Sequence, residues 1–505
     1  MVIRKEHFMK NDDQNKKKLK RVHPAAFGAS LVVVALLSVG MTLLATHAAG
    51  PDVPTAESSS SAASSQSESA ATSSSGIDYT KFESVYNTLM TTYYEEVDGE
   101  ALMEGALSGM TEAVGDPYTE YLDLSDSANL NESIDASFEG IGAEVQKQGD
   151  NIMIVSPIAG SPAEKAGLLP NDIILKVDDQ ELNGLSLNEA VSYIRGEKGT
   201  QVVLTIQRGD STFEVTITRD TIPVETVIYN LDEEDPTIGY VSITSFSTPT
   251  YEELVAAVED LRSQGAKSFV FDVRQNPGGL LDGAITISNM FLEDGEVILQ
   301  TEERNQEPVP VVADDASYGE FQITEPSVLL VDEGSASASE ILAGALQESA
   351  ELPIIGSKTF GKGTVQSVIP YADESELKLT IGKWLTPEGN WVHDKGLEPD
   401  VVVELPDYAY LLMINSSETY QQGDTSAEVE NLEKVIEALE YEVGSADGYF
   451  DEDTTKAVEE FQADQDLEVN GVVTGDTALA LITELRELID ANDTQYEEAV
   501  EYLKQ

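Results

Sequence analysis

The spacing of apolar positions changes several times along the chain. Ala25 to Ala45 is a charge-free, largely apolar run of 21 residues. At about 1.5 Å per residue it is long enough for a hydrocarbon core of about 30 Å. From Pro51 to Gly76 the residues are mostly Ser, Ala, Glu and Thr, too poor in apolar groups to fold, which predicts a tether. Helical spacing begins after Asp78: Phe82, Val85, Tyr86, Leu89 and Met90 mark one helix, and Leu102, Ala106, Leu107 and Met110 a second. Between Phe138 and Ile222 the pattern shortens to strands, with apolar runs at Gly140–Val145, Ile152–Val155, Asp172–Val177 and Gln201–Ile206. A short helix at Ser161–Gly167 and a longer one at Leu187–Ile194 interrupt them.

Val224 to Pro406 alternates the two patterns. Strands are predicted at Gly239–Ile243, Ser268–Val273, Ser327–Val331 and Leu352–Ile355, with helices at Tyr251–Leu261, Asp282–Phe291 and Ile341–Leu346. This is the pattern of an α/β core, followed by a β-rich tail through Leu377–Ile381 and Asp400–Glu404. Asp424 to Leu488 then predicts three helices: Val429–Leu439, Thr454–Gln462, and one beginning near Asp476. Tight turns at Asp447–Asp451 and Asn470–Gly475 separate them.

Charge narrows the function classes. The chain has 93 acidic and 29 basic residues, a net charge of −64. Eight of the basic residues precede Pro24, against three acids there. The acidic remainder repels phosphate backbones, so a nucleic-acid partner is not expected. The basic cluster ahead of the apolar run predicts a single-pass membrane anchor over 25–45, with residues 1–24 cytoplasmic and everything after Thr46 extracellular. A cleaved signal peptide is the rival reading, since Thr46-His-Ala48 offers small residues near a cut, although the run is long for one.

Chemistry is bounded next. The absence of cysteine removes disulfides, thiolate metal sites and a cysteine nucleophile. The four histidines are His7, His23, His47 and His393. His7 and His23 fall on the cytoplasmic side of the predicted anchor and His47 borders it ahead of the tether, so a Ser-His-Asp triad would rest on His393 alone. No His-Glu-Xaa-Xaa-His pattern occurs, and neither metal nor cofactor is expected. What remains is Asp332-Glu-Gly-Ser-Ala-Ser-Ala-Ser-Glu340, at a strand-to-helix turn, followed by Gly361-Lys-Gly-Thr-Val-Gln366. Small residues there let a serine hydroxyl stand beside backbone N–H groups at a helix start, where an anion is stabilised. Lys362 as base must be neutral, against an ordinary pKa of about 10.4, which requires local burial away from carboxylates. Phe360, Val365 and the flanking glycines permit such a pocket. Ser337-Ala-Ser-Glu340 also reads as a capping box, and the turn's three serines leave the nucleophile undecided on physical grounds alone.

Motifs in a fixed order go further. Asp272-Val-Arg-Gln-Asn-Pro-Gly-Gly279, Ser335-Ala-Ser-Ala-Ser-Glu340, Thr359-Phe-Gly-Lys-Gly-Thr-Val-Gln366 and Leu385-Thr-Pro-Glu-Gly389 resemble the carboxyl-terminal processing proteases. Gly105–Met110 and Asp116-Pro-Tyr118 resemble that family's N-terminal helical part, and Gln275 stands where an asparagine is usual. The resemblance implies Ser337 as nucleophile, Lys362 as general base and Gln366 as supporting residue. It implies an oxyanion hole from the N–H of Ala338 and of Gly278 or Gly279. Phe138-Glu-Gly-Ile-Gly142, Ser161–Gly167, Asp172-Ile-Ile174 and Ile194–Gly199 resemble a protease-associated PDZ domain. In it the Gly140-Ile141-Gly142 turn would receive a peptide's terminal carboxylate. Asp447–Asp451, Ala457–Gln462 and Asn470-Gly-Val-Val473 resemble a small peptidoglycan-binding domain, with Glu433 in place of the usual glutamine.

The implied fold is a multidomain α/β (α+β) protein. Its parts are an N-terminal helical part (77–130), a β-rich PDZ domain (135–222), a crotonase-like protease core (223–407) and a three-helix wall-binding domain (423–488), after a linker (46–76). The implied partners are proteins with accessible C-termini, peptidoglycan, the cell membrane and, for self-association, a homo-oligomer. A non-catalytic wall scaffold and a peptidoglycan hydrolase are the competing functions. The intact Ser337, Lys362 and Gln366 argue against the first, and the core offers no muramidase acid pair or amidase metal site for the second.

Overall fold

The computed structural model describes residues 78–209 and 211–505. They fall into two units, Leu411–Asn492 and the remainder, which rejoins the chain at Asp493–Gln505. The predicted tail, anchor and linker (1–76) lie outside the described residues. Among the described residues no helix is long and apolar enough to cross a membrane. The expected localisation, a single membrane pass with an extracellular catalytic part, is corrected accordingly: the described fold supplies no spanning element, and the reading is dropped.

The larger unit opens with helices α1 (Tyr79–Thr92) and α2 (Gly99–Glu112), strand β1 (Glu120–Leu122) and helix α3 (Leu124–Asp135). Asp78, Asp98 and Asp123 cap the three helices, each accepting from backbone N–H groups of the first turn. Next come β2 (Ser137–Gly140), β3 (Ala143–Gln148), β4 (Asn151–Pro157), α4 (Pro162–Lys165), β5 (Ile173–Val177), β6 (Gln180–Glu181), α5 (Leu187–Ile194), β7 (Gln201–Arg208), β8 (Ser211–Thr218) and β9 (Asp220–Pro223). Strands β3-β4-β5-β7-β8 form an antiparallel sheet with β3 at one edge. Alternate residues Val202, Leu204 and Ile206 point into its core with Ile152 and Ile154. The β2–β9 pair closes this module back onto the end of α3.

The core follows: β10 (Val227–Leu231), β11 (Ile238–Ile243), α6 (Thr250–Gln264), β12 (Ser268–Asp272), α7 (Leu281–Asn289), β13 (Val297–Glu303), β14 (Val309–Val312), α8 (Asp315–Tyr318), β15 (Ser327–Val331), α9 (Ala338–Glu348), β16 (Ile354–Gly356), β17 (Thr364–Pro370), β18 (Glu376–Leu385) and β19 (Val401–Val402). One sheet has the order β10-β11-β12-β15-β16-β19, parallel except at β10. A second, antiparallel sheet has the order β1-β18-β13-β14, with β17 also on β18. In β15 every residue is buried, because the first sheet is covered on both faces. Leu329 and Val331 pack with α9 residues on one side, while Val328 and Leu330 pack on the other against the chain's last helix.

The smaller unit has α10 (Ala427–Ala438), α11 (Glu452–Asp464) and α12 (Gly475–Ala491), joined around Leu432, Ile436, Phe450, Val458, Phe461 and Leu481. Glu433 is fully buried; its carboxylate accepts from the Gly448 N–H at 2.9 Å and the Thr454 hydroxyl at 2.8 Å. Both partners are donors, so an acceptor-only side chain serves in place of the usual glutamine. The final helix, α13 (Thr494–Leu503), belongs to the larger unit.

Candidate active site

The Asp272–Gly279 and Asp332–Glu340 turns meet at the ends of β12 and β15. Asp332 joins them: its carboxylate accepts from the N–H groups of Gln275 (2.8 Å), Gly334 (2.9 Å) and Ser335 (3.1 Å), and from the Gln275 side-chain amide at 2.6 Å. The three serines separate by what their hydroxyls do. Ser335 Oγ donates to the Val273 carbonyl at 2.8 Å and Ser339 Oγ to the Asn276 carbonyl at 2.9 Å, both fully buried. Ser337 instead lines a narrow cavity with Gly279, Leu281, Ala338, Ile341 and Thr364. Its φ of +54° and ψ of −109° are unusual for a residue with a Cβ, a strained strand-to-helix turn that the surrounding bonds hold in place.

The glycines opposite do different work. A Cβ on Gly278 would lie 2.7 Å from the Ala336 carbonyl and 2.9 Å from the Ala338 nitrogen, so only glycine lets the turns touch. The Gly278 N–H is already bonded to Asn276 Oδ1 at 2.9 Å. No bond from the Gly279 N–H is found among the described residues, and Gly279 lines the Ser337 cavity with Ala338.

Lys362 is 2 % exposed, and its Nζ has no hydrogen-bond partner among the described residues. Burial, aided by the charge of Lys378, pushes its pKa down to about 7, while Glu340 and Asp116 pull the other way. The wall is not the one expected: Phe360 is 58 % exposed. Nζ lies instead 4.7 Å from the centre of the Tyr118 ring. The lysine loop is also pinned by Trp384 Nε1, donating to the Lys362 carbonyl at 2.9 Å. His393 Nδ1 accepts from the Gly363 N–H at 3.3 Å, and its ring stacks on Trp391.

Glu340 connects serine and lysine. One carboxylate oxygen accepts from the N–H groups of Ser337 (2.9 Å) and Lys362 (2.8 Å), the other from the Thr359 hydroxyl (2.7 Å) and the Gly361 N–H (2.8 Å). Burial raises its pKa, while these four donors act against the rise. In sequence Glu340 reads only as a capping residue, because its reach to the lysine loop carries no local signal. Tyr118 was within reach through Asp116-Pro-Tyr118, which keeps its order with the other motifs. Gln366 is buried with its Nε2 on the hydroxyls of Thr364 (2.9 Å) and Thr380 (3.1 Å), and its Oε1 has no partner among the described residues. No hydrogen bond joins Ser337, Lys362 and Gln366 to one another among the described residues.

The PDZ turn is separate. Gly140 ends β2, and Ile141 and Gly142 precede the edge strand β3. Their carbonyls accept from Ala163 and Ile158, whereas no bond from the Ile141 or Gly142 N–H is found among the described residues. Gly142 has φ +74°, and a Cβ there would sit 2.5 Å from the Ser161 Cβ.

Comparison with known proteins finds matches along most of the chain. Residues 237–403 match peptidase family S41, 153–208 a PDZ domain, 37–125 the activating protease CtpB N-terminal domain and 425–481 a putative peptidoglycan binding domain. The chain is 45 % identical over 427 residues to the carboxy-terminal processing protease CtpA of Bacillus subtilis (strain 168), covering 84 % of this chain and 90 % of that one. It is 38 % identical over 424 residues to a probable CtpA-like serine protease of Staphylococcus aureus (strain N315), covering 84 % of each. Among solved structures, the photosystem II D1 C-terminal processing protease aligns with 29 % identity and a TM-score of 0.38, over 66 % of this chain and 89 % of that one.

Proposed function

Because the chain belongs to peptidase family S41, as a serine-type peptidase of the carboxy-terminal processing kind with PDZ and peptidoglycan-binding domains, we propose that it cleaves through a Ser337–Lys362 dyad. The observation that carries this reading is the shared carboxylate of Glu340, which holds Ser337 and a buried Lys362 of pKa about 7 on one support. Ser337 Oγ attacks the peptide carbonyl carbon while Lys362 Nζ takes its proton. The developing oxyanion is held by the N–H groups of Ala338 and Gly279; Gly278 is passed over because its N–H is spent on Asn276. The Lys362 ammonium returns the proton to the leaving amine, and water then hydrolyses the acyl-enzyme. Gln366 Oε1, buried without a partner, supports the lysine when it is charged.

The PDZ turn recognises the substrate. Ile141 and Gly142 offer N–H groups to a terminal carboxylate, and the peptide adds beside β3 at the sheet edge. Its occupancy gates cleavage through α3. Arg195, at the end of α5, pairs with Glu132 of α3 at 2.9 Å. The last carbonyls of α3 accept from the Ser247 hydroxyl and the Thr248 N–H, beside Phe246, which bonds Gly278 and Leu280. The wall-binding part, about 423–488, brings the enzyme to peptidoglycan. Exposed Tyr79, Phe82, Val85 and Met90 on α1 supply an apolar surface for a homo-oligomer.

The test is cleavage of C-terminally tagged peptides by the soluble chain from residue 78. Ser337→Ala and Lys362→Ala should each abolish it, and deleting 138–222 should change selectivity among C-termini. Equal background in wild type and Ser337→Ala would instead leave a scaffold.

A further inference from the structure

Arg274 opens the turn that ends at Gly279, and its side chain is only 13 % exposed. Nε lies 3.0 Å from both Asp272 oxygens, and Nη2 2.6 Å from Asp272 Oδ2. The outer edge of the guanidinium is held from the far end of the chain. Nη1 and Nη2 donate to Oδ1 and Oδ2 of Asp493, each at 2.8 Å, and Nη1 also donates to Gln495 Oε1 at 3.1 Å. A two-pronged arginine–carboxylate pair fixes orientation as well as distance.

The segment making these bonds is itself anchored. Asp493 caps α13, accepting from the Tyr496 N–H at 3.0 Å. Thr494 Oγ1 donates to the Glu404 carbonyl and Gln495 Nε2 to the Val403 carbonyl, both at 2.8 Å, just after β19. Tyr496 OH donates to Asp232 at 2.9 Å, and Ala499 is fully buried against the sheet. The wall-binding unit is therefore an insertion, left at Asn492 before the chain returns to complete the larger unit.

We propose that Asp493 and Gln495 are positioning residues for cleavage: by fixing the Arg274 guanidinium they set the turn that presents the Gly279 N–H to the oxyanion. This rests on the dyad and oxyanion reading above. A direct bond to Arg274 and a direct chain path of five residues from Arg274 to Gly279 separate this role from general packing of α13.

The experiment measures hydrolysis of a fluorogenic peptide by the full-length protein, with active sites counted by completed labelling with a fluorophosphonate. In Asp493→Asn, which keeps the shape and loses the charge, kcat per labelled site should fall about tenfold to a hundredfold. KM should stay within about twofold, because the oxyanion bond forms only in the transition state. Asp493→Glu, keeping the charge, should recover part of the loss, and Glu501→Gln on the exposed side of α13 should behave as wild type. A merely structural role lowers the melting temperature and the number of labelled sites but leaves kcat per site unchanged; that result overturns the proposal. Should Asp493→Asn not fold, Gln495→Met, which removes one acceptor for Arg274 at similar volume, is read in the same way. Ser337→Ala runs alongside. Activity surviving in it overturns the dyad itself, whereas a dead Ser337→Ala with wild-type kcat per site in Asp493→Asn overturns only the role given to the last helix.

Discussion

The two faces of the six-stranded sheet both carry buried apolar residues but are covered in different ways. On the Ser337 face, α7 and α9 follow β12 and β15 directly, and their side chains join Phe269, Phe271, Leu329 and Val331 in one core. On the opposite face, Ile238, Val270, Val328, Leu330 and Ile355 are covered by Ala499, Tyr496, Val500 and Leu503, from the segment that follows Asn492 in sequence and belongs to the same unit as the sheet. The first cover is a consequence of local connection, as in any strand-turn-helix. The second is a closure made by the end of the chain, and it also reaches the turn beside the serine. An apolar strand face states that a cover exists; it does not say which segment supplies it.

The largest test of this contrast is Glu340→Gln, on the near face. The amide keeps the volume but sets an NH₂ among four donors, so kcat should fall about a hundredfold or more. A thermal melt run in parallel should show a loss of a few kcal/mol at most, on the order of 1–3. Rates within about twofold of wild type would mean that serine and lysine do not depend on their common support. On the far face, Ala499→Asp places an unpaired charge at a fully buried position and should cost about 3–5 kcal/mol in urea unfolding. If stability is unchanged, α13 is not a working cover.

Lys362→Met separates function from stability within the near face. Lys362 is pushed from 10.5 down to about 7 in the folded chain. Between these values the unfolded chain binds a proton that the folded one does not, so stability rises with pH across the window. Below about pH 7 the penalty is complete, about 5 kcal/mol. Lys362→Met should therefore be inactive yet more stable at neutral pH, by about 2–4 kcal/mol, with the gain shrinking toward pH 10. In wild type, kcat/KM should fall about tenfold per unit below pH 7 as the base is protonated. Lys378→Met, which removes a repelling charge, should move that limb to higher pH. The smallest effect is expected at Gln275→Asn. Asparagine suits the φ of +56° there but shortens the reach to Asp332, so kcat should stay within about threefold.

Much of the fold was legible because periodicity is a local property. The strands at Gly239–Ile243, Ser268–Val273 and Ser327–Val331 and the helices at Tyr251–Leu261 and Asp282–Phe291 appear within a few residues of those bounds. Strands β1, β13, β14 and β17 were not predicted; they belong to a half-exposed sheet whose alternation is broken by charges and by Pro310. The candidate chemistry was legible for another reason. With no cysteine and one histidine in the folding part, few groups were left to activate a serine.

The sequence by itself determined the strand-turn-helix holding Ser337, the glycines that a close backbone approach requires, and a lysine that would need burial to serve as a base. The tertiary structure decided what surrounds them. Tyr118 and Lys378, rather than Phe360, set the environment of Lys362. Hydrogen bonding separated Gly279 from Gly278 and Ser337 from its two neighbours. Asp493, 219 positions from Arg274, became part of the same turn. Desolvation, charge and shared hydrogen bonds depend on groups close in space, and spacing along the chain does not encode which distant groups those are.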